Sequence, residues 1–449
     1  MSVVKLPVRG SGSVFTAGWD LRTFTAFGIV GEYTYCAVWW THRRLSHHQP
    51  YAELTSATPG FANTLLPYII FSSLYLIVPF SLPVVLLIEL LPAIAVKLLV
   101  PHILHYTPHW VWLALLSGCW ILATVTANAA PPNVIAPIRI LIAVLASANT
   151  AVAEVFFLSQ LSHYGKTALA GWGTGSAAGG ALRAVLPTIL TIRMGLMMRN
   201  ATSYVYYLLV AMVAAYFLVL PSPVLRTMAV NELAGEDEAA VEMESHKSTL
   251  ITAESHSQTI SFRERIHRNM QLMSSKLLRL CIDPLLLVTA AQGLVSSGTP
   301  RASRALRSFS GYQSFSATYG LAFQIGDLIA RSTALLFRTR RPRLLFALLV
   351  VCCLAAILNT SLMLSANIYF VLGLISCIGW LRGMMYMNIY GAAMEYLSRN
   401  PDANAEFALG SIGVGETAGM LIGSLTAVTF ESQLCGLASR SGRWCSTIT

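Results

Sequence analysis

Eleven stretches of the chain are long and apolar enough to cross a lipid bilayer as helices. A helix needs about 20 apolar residues to span the hydrocarbon core, because each residue adds about 1.5 Å of length. The composition agrees, since 55% of the residues are hydrophobic, 11% are charged and the mean hydropathy is +0.61. The sequence therefore predicts an all-α polytopic membrane protein with about eleven transmembrane helices. The apolar runs lie at residues 61–80, 82–100, 110–128, 134–158, 168–192, 203–221, 278–298, 311–337, 343–364, 366–390 and 406–430.

A long polar stretch divides these runs into two groups. Residues 222–276 contain 8 of the 20 acidic residues and are predicted to be a cytoplasmic linker, because the acidic part has too few apolar side chains to form a core. The part from Phe262 to Arg268 has the pattern of a short amphipathic helix at the membrane surface. The predicted organisation is a divergent N-terminal segment 1–60, an N-terminal helix bundle 61–221, the linker 222–276, a C-terminal helix bundle 277–434 and a tail 435–449.

The two groups share a short glycine-rich phrase, G-x-G-x-x-A-G. It occurs at Gly173–Gly179 and again at Gly413–Gly419, and in each copy a glutamate, an aromatic residue and Leu-Ser precede it. The order and the apolar context are the same in both copies, which indicates an internal repeat. In a membrane protein, such a repeat is typical of a transporter whose site lies between the two halves.

The glycines of the phrase are predicted to lie where helices cross closely. Small residues four positions apart on a helix let a neighbouring backbone approach, which favours helix packing. The alternative is that these glycines line a substrate path. A dinucleotide-binding loop is rejected, because that loop needs a preceding strand and a soluble strand-helix-strand unit. The glycines concerned are Gly173, Gly175, Gly179, Gly413, Gly415 and Gly419.

The net charge of +10 does not indicate nucleic-acid binding, because the basic residues are spread over short loops. The densest cluster, Arg338–Arg343, predicts a cytoplasmic loop. The eight cysteines are scattered without a C-x-x-C pair, so neither a zinc site nor a disulfide framework is predicted. His102, His105 and His109 are interrupted by two prolines and are interpreted as an interfacial loop cluster, so no metal and no cofactor is expected.

Charged residues inside the apolar runs are candidates for function, because a charge in the bilayer is costly. Glu154 is the leading candidate, since a carboxylate in a medium of low dielectric binds its proton more tightly than in water. Its alternatives are a carboxylate near the membrane face and a structural pairing with an arginine on a neighbouring helix. Asp327 and Arg331 lie four positions apart and are favoured as a structural ion pair. The other charges in or near the runs are Glu89, Arg183, Arg382, Glu395 and Glu416. No arrangement of catalytic residues is recognised, so the chain is not expected to be an enzyme.

Several blocks of sequence resemble one known family. They are Val85–Pro92, Lys97–Pro101, Ala153–Ser159, His163–Gly165, Gly171–Gly179, Tyr312–Gln313, Gln324–Ser332, Gly383–Asn388 and Glu406–Gly410. In these blocks the chain resembles the battenin family, the lysosomal and vacuolar membrane proteins of Batten disease, and especially its fungal members. The resemblance covers about two thirds of the chain.

The resemblance implies a fold similar to the major facilitator superfamily and a place in the vacuolar or lysosomal membrane. It also implies a link to vacuolar pH homeostasis and to transport of basic amino acids, chiefly arginine, or of glycerophosphodiesters. The chain departs from the family pattern where a glutamate expected in the seventh helix is Gln292 and where the first-helix signature keeps only Phe27–Gly28. If that glutamate couples protons in the family, the coupling through this position is lost here.

Two hypotheses for function follow. The first is a secondary transporter in which two bundles rock about a cavity faced by Glu154, Arg331 and Asn388, with the acid carrying a proton or meeting a cation and the arginine meeting an anion. Its partners would be the bilayer, a small polar solute and protons. The alternative is a membrane regulator or scaffold that transports nothing and acts on a vacuolar proton pump or on trafficking proteins. Deleting residues 232–264 of the linker separates the two, since a transporter keeps its flux and a regulator fails.

Overall fold

The computed structural model consists of helices throughout the part of the chain that it describes. That part comprises residues 49–75, 82–104, 107–129, 136–188, 262–300, 312–334, 342–362, 367–400 and 404–440, with a few short pieces between 206 and 213 and residues 303, 364 and 365. The helices are α1 (Gln49–Tyr75), α2 (Leu82–Ile103), α3 (His109–Ala129), α4 (Ala136–Thr188), α5 (Phe262–Leu272), a π-helical segment (Met273–Ile282), α6 (Asp283–Gly298), α7 (Tyr312–Thr333), α8 (Pro342–Leu362), α9 (Ile368–Ser398) and α10 (Ala405–Arg440).

Most of the predicted apolar runs correspond to these helices. Six described helical stretches are long and apolar enough to cross a membrane, and Trp110–Thr126 is a shorter apolar helix. α1 begins at Gln49, before the predicted start at 61, and α10 continues to Arg440, beyond the predicted end at 430. Hydropathy misses these ends because polar turns extend the helices beyond their apolar parts. The run 203–221 and the basic cluster Arg338–Arg343 lie mainly outside the described residues.

α4 contains two of the predicted runs and is not a straight rod. Phe157 and Trp172 stack with ring centroids 5.6 Å apart, although 15 positions along a straight helix would separate them by about 22 Å. The chain therefore folds back on itself between these two residues. The two arms of α4 correspond to the predicted runs 134–158 and 168–192.

The linker continues into the second group of helices without a break. α5 is helical from Phe262 to Leu272, as the amphipathic pattern predicts. The π-helical segment follows, and the backbone at its two ends, Leu272 and Asp283, keeps right-handed helical angles. The rest of the predicted linker, up to residue 261, lies outside the described residues.

Helices of the first half, α1–α4, pack directly against helices of the second half, α6–α10. α10 contacts α2 and α4, and α7 contacts α4. Within the second half, α10 packs along α6 and α7 packs along α9. The middle of the protein is filled by large side chains that are almost fully buried, among them Trp120, Phe156, Phe315, Tyr390 and Phe407.

The second and third glycines of each phrase lie at close helix crossings. A methyl group on Gly175 would collide with the carbonyl oxygen of Ala57 in α1, and one on Gly179 would lie 2.7 Å from that of Phe61, four residues further along. In the second copy, Gly415 faces the Ile282 carbonyl oxygen at 2.5 Å and Gly419 faces that of Leu286. The phrase thus fixes one close crossing in each half. In the first half α4 crosses α1, and in the second half α10 crosses the end of the π-helical segment and the start of α6.

One cysteine differs from the sequence prediction. Cys435 is disulfide-bonded, whereas Cys119, Cys281, Cys352, Cys353 and Cys377 are free thiols in the described part of the chain. The scattered spacing gives no signal for this bond, because a disulfide depends on proximity in space.

Candidate functional site

A buried ion pair joins two helices of the first half. Lys97 of α2 places its Nζ 2.7 Å from Oε1 of Glu154 in the first arm of α4. The lysine side chain is 4% exposed and the glutamate side chain is 17% exposed. Among the described residues, Lys97 is the ionic partner of Glu154. The structure thus pairs Glu154 with a lysine, whereas the structural alternative from the sequence had an arginine as the partner.

Lys97 also binds the opposite half of the protein. Its ammonium donates to Oγ1 of Thr417 at 2.7 Å and to the carbonyl oxygen of Gly413 at 3.3 Å, both in α10. An ammonium group has three N–H donors, and the two oxygens of α10 use two of them. Lys97 therefore connects α2, α4 and α10 through one atom.

A second ionic group lies entirely on helices of the second half. Asp327 of α7 accepts at Oδ1 from Nε of Arg331, at 3.1 Å, and at Oδ2 from Nη1 of Arg382 in α9, at 3.2 Å. Arg382 also pairs with Glu416 of α10. Asp327 is 1% exposed. These four residues form a series of ion pairs in which the two central residues, Asp327 and Arg382, each have two ionic partners. The series connects α7, α9 and α10.

Arg331 connects this series of ion pairs to the first half. Its Nη1 donates to Oγ of Ser176 in the second arm of α4 at 2.8 Å. Its guanidinium carbon lies 4.2 Å from the ring centre of Tyr386 in α9, which is the geometry of a cation–π contact. Arg331 and Lys97 thus reach across the boundary between the halves in opposite directions. Each cation is anchored by a carboxylate of its own half and donates to neutral oxygens of the other half.

The first glycine of each phrase lies beside one of these cations. A methyl group on Gly413 would lie 2.7 Å from Oε1 of Glu154 and 3.3 Å from Nζ of Lys97. One on Gly173 would lie 2.8 Å from Sδ of Met387 and 3.6 Å from Cδ of Arg331. The first glycine leaves room for groups of the opposite half, whereas the later glycines pack within their own half.

The cluster contains three cations and three carboxylates and is therefore neutral when all six are ionised. Lys97, Arg331 and Arg382 supply the positive charges, and Glu154, Asp327 and Glu416 supply the negative ones. These charges can be buried between membrane-spanning helices because each one is paired, since an unpaired charge would be costly in the bilayer.

Two other predicted residues lie apart from these ion pairs. Asn388 is half-buried, and its side chain donates to the Met384 carbonyl oxygen of its own helix at 2.7 Å. Glu395 is 39% exposed and pairs with Arg399 at 2.6 Å, near the end of α9. The glutamates that precede the two glycine phrases are therefore not equivalent in space. In the described part of the chain, no group of three histidine, cysteine, aspartate or glutamate side chains could hold a metal, and His102 packs against Phe407.

The sequence analysis missed three residues of the cluster. Lys97 carries the same signal as Glu154, a charge within the apolar run 82–100, and the criterion applied to the acids would have found it. Ser176 and Thr417 lie inside the two glycine phrases, as the residues after Gly175 and Glu416. Their role depends on the partner helix, which the sequence pattern does not identify.

Fungal proteins are similar to this chain over most of its length. Protein btn-1 of Neurospora crassa is 29% identical over 431 residues, which cover 87% of this chain and 89% of that protein. Protein BTN1 of Yarrowia lipolytica is 27% identical over 399 residues, covering 87% of this chain and 96% of that protein.

A solved structure supports the predicted fold. A major facilitator superfamily transporter, FucP, in the outward conformation superposes with a TM-score of 0.50 at 14% identity, covering 86% of this chain and 98% of that one. The likeness concerns the fold alone, and it confirms the prediction of a major-facilitator-like arrangement of two helix bundles.

The sequence profile of the CLN3 protein family matches residues 55–437, which include every residue of the charged cluster. Family and fold together are those of a multi-pass membrane protein. The predicted kinship with battenin-like proteins is confirmed, and this chain belongs to the CLN3 protein family.

Proposed function

We propose that this chain is a secondary transporter that moves a small polar solute by alternating access, with Glu154 on the path of the solute or of a proton. The observation that carries the proposal is the charged cluster between the halves, where Lys97 and Arg331 each donate to the opposite half. Maintaining six charges at this depth requires complete pairing, which is a large constraint for a passive scaffold.

The cross-half bonds have the strength that rocking of two bundles requires. Their acceptors are Thr417, Ser176 and the Gly413 carbonyl oxygen, which are neutral. A hydrogen bond of this kind contributes about 0.5–3 kcal/mol, so thermal motion or a bound solute can break it. The ionic bonds of Asp327 and Arg382 lie within the second half and keep these charges paired while the halves separate.

The solute and the compartment are also part of the proposal. Kinship with the family supports the vacuolar or lysosomal membrane, a role in vacuolar pH homeostasis, and either arginine or a glycerophosphodiester as the solute. Glu154 would hold a proton or a cationic group, Arg331 would meet an anionic group, and Asn388 would line the path. A vacuolar proton pump or trafficking proteins would be partners of the chain in this membrane.

The test is uptake by lipid vesicles that contain the purified protein. Labelled arginine, and separately a labelled glycerophosphodiester, are offered under an imposed pH gradient to the wild type, to Glu154→Gln and to Glu395→Gln. Gradient-dependent flux that is lost in the first variant and kept in the second supports the proposal. Deletion of residues 232–264 should keep most of the flux. Absence of flux of both solutes with folded wild-type protein contradicts the transport proposal.

A further inference from the structure

The Lys97–Glu154 pair differs from the other ion pairs of the cluster because each member has a single ionic partner among the described residues. Asp327 is held by two arginines, and Arg382 is held by two carboxylates. Replacing the cation that is bound to Glu154 requires one ionic contact to break, whereas freeing Asp327 for another cation requires two contacts to break. Glu154 is also the more exposed member of its pair, at 17% against 4% for Lys97. A cation from outside the cluster therefore reaches Glu154 by breaking one ionic contact, as it would at Glu416, which is 21% exposed and paired with Arg382.

Lys97 has alternative partners when it loses Glu154. Its other two donors already bind Thr417 and the Gly413 carbonyl oxygen of α10. A displaced ammonium group stays attached to α10, and Glu416 precedes Thr417 on that helix as a neighbouring carboxylate. Displacement thus changes Lys97 from a link between α2, α4 and α10 into a contact of α2 with α10 that no longer includes α4.

We propose that Lys97 is an internal competitor for Glu154, whose ammonium group occupies the carboxylate until a proton or the cationic group of the solute replaces it. The exchange removes the link between α4 and α10 that passes through Lys97, and so couples occupancy of Glu154 to the contact between the halves. The solute part of this inference rests on the proposed transport function. The proton part does not, because it can be measured without any solute. Lys97 is a positioning and specificity-determining residue in this scheme.

Other charged and titratable groups face Glu154 from the elements around it. They are Glu416 of α10, Arg331 of α7, and Tyr386 and Tyr390 of α9. Arg331 and Glu416 have partners of their own, in Asp327 and Arg382. A response to acid is therefore assigned to Glu154 only if Glu154→Gln removes it.

The first measurement is binding of labelled arginine to the full chain in lipid nanodiscs. Removing the competitor in Lys97→Gln should tighten arginine binding by about tenfold, the scale of one charge-assisted hydrogen bond. Lys97→Met, which has an unbranched apolar side chain without the ammonium group, should do the same if the glutamine variant does not fold. Lys97→Arg keeps a competing cation and should bind arginine no more tightly than the wild type. If Lys97 has only a structural role, folded Lys97→Gln or Lys97→Met protein should bind arginine more weakly than the wild type or equally well. That result would overturn the proposal.

The second measurement is hydrogen exchange of the α10 peptide 405–420 in neutral and in acidic buffer, corrected for the intrinsic effect of pH. In the wild type, acidification should increase exchange because a proton replaces Lys97 on Glu154. Lys97→Gln and Glu154→Gln should already exchange fast at neutral pH and should respond little to acid. If the wild type binds no arginine, the solute part of the proposed function fails, and this acid response alone decides the inference. An acid response that is equal in wild type and Lys97→Gln, or absent from the wild type, would refute it.

Discussion

The two ionic groups of the cluster are similarly buried but differently connected. The side chains of Lys97 and Arg331 are 4% and 5% exposed. The carboxylate beside Lys97 has one ionic partner, whereas the carboxylate beside Arg331 has two. Burial alone therefore does not separate a charge that can exchange its partner from one that is fixed. The number of ionic partners makes this distinction, because each additional partner must also be separated before exchange.

The comparison also assigns different tasks to the two halves. The series of ion pairs that runs from Arg331 through Asp327 and Arg382 to Glu416 connects three helices of the second half. The pair in the first half ties α2 to α4 and reaches α10 only through hydrogen bonds. The second half is thus braced internally, and the contact between the halves is the weaker one. A rocking motion between two stiff bundles needs this distribution of strengths.

The largest effect is expected for Asp327→Asn. This change removes the one carboxylate that separates Arg331 from Arg382 and leaves two buried guanidinium groups facing an amide. Removing one partner of a buried ion pair typically costs about 3–5 kcal/mol, so we expect loss of folded protein or a large decrease in the free energy of unfolding. The loss of folded protein is measured by the yield of monodisperse protein, and the free energy of unfolding is measured by titration with a denaturing detergent in mixed micelles. A decrease no larger than that of Glu154→Gln would remove the distinction between the two groups.

A smaller effect is expected for Glu154→Gln. Lys97 loses its ionic partner but keeps Thr417 and the Gly413 carbonyl oxygen, so the cost should be about 1–3 kcal/mol. The double variant with Lys97→Met removes both charges and should recover most of this stability, since neutral replacement of a buried pair is often tolerated. It should not recover flux. Stability and uptake measured on the same preparations test both statements, and a double variant less stable than Glu154→Gln would contradict them.

The first glycines of the two phrases give a steric test of the comparison. In Gly413→Ala the new methyl group meets the Glu154 carboxylate and the Lys97 ammonium, which are held by each other and by α10. In Gly173→Ala it meets the flexible end of Met387. Overpacking costs about 1–3 kcal/mol where neighbours cannot move, so Gly413→Ala should destabilise more than Gly173→Ala. Gly118→Ala, where the methyl group meets nothing within 4 Å, is the matched control. Equal costs at Gly413 and Gly173 would mean that the carboxylate moves as freely as the methionine.

The sequence predicted the helical fold well because long apolar runs have few alternative structures. The runs located the spanning helices. The spacing of Gly175 with Gly179 and of Gly415 with Gly419 predicted close crossings, and these four glycines lie against backbone carbonyl oxygens of other helices. The sequence did not predict which helix each glycine meets. That choice depends on packing between distant parts of the chain, and hydropathy contains no information about it.

The charged cluster was only partly accessible from the sequence. Intramembrane position identified Glu154, Asp327, Arg331, Arg382 and Glu416 as unusual residues. Spacing identified only the Asp327–Arg331 pair, because it lies within one helix turn. The partner of Glu154 is 57 positions away on another helix, and no local pattern connects Lys97 to it. Pairing across helices is a property of the tertiary structure.

The smallest effect is expected at the glutamate that precedes the second glycine phrase. Glu395 pairs with Arg399 near the end of α9, where the two side chains are 39% and 74% exposed. An exposed ion pair contributes about 0–1 kcal/mol, because water solvates the separated charges almost as well. Glu395→Gln should therefore change the free energy of unfolding by less than about 0.5 kcal/mol and should leave the uptake rate of the vesicles unchanged. If it abolished flux as Glu154→Gln does, the two glutamates would share a function despite their different surroundings. The number of ionic partners of a carboxylate would then not decide whether it can exchange its partner.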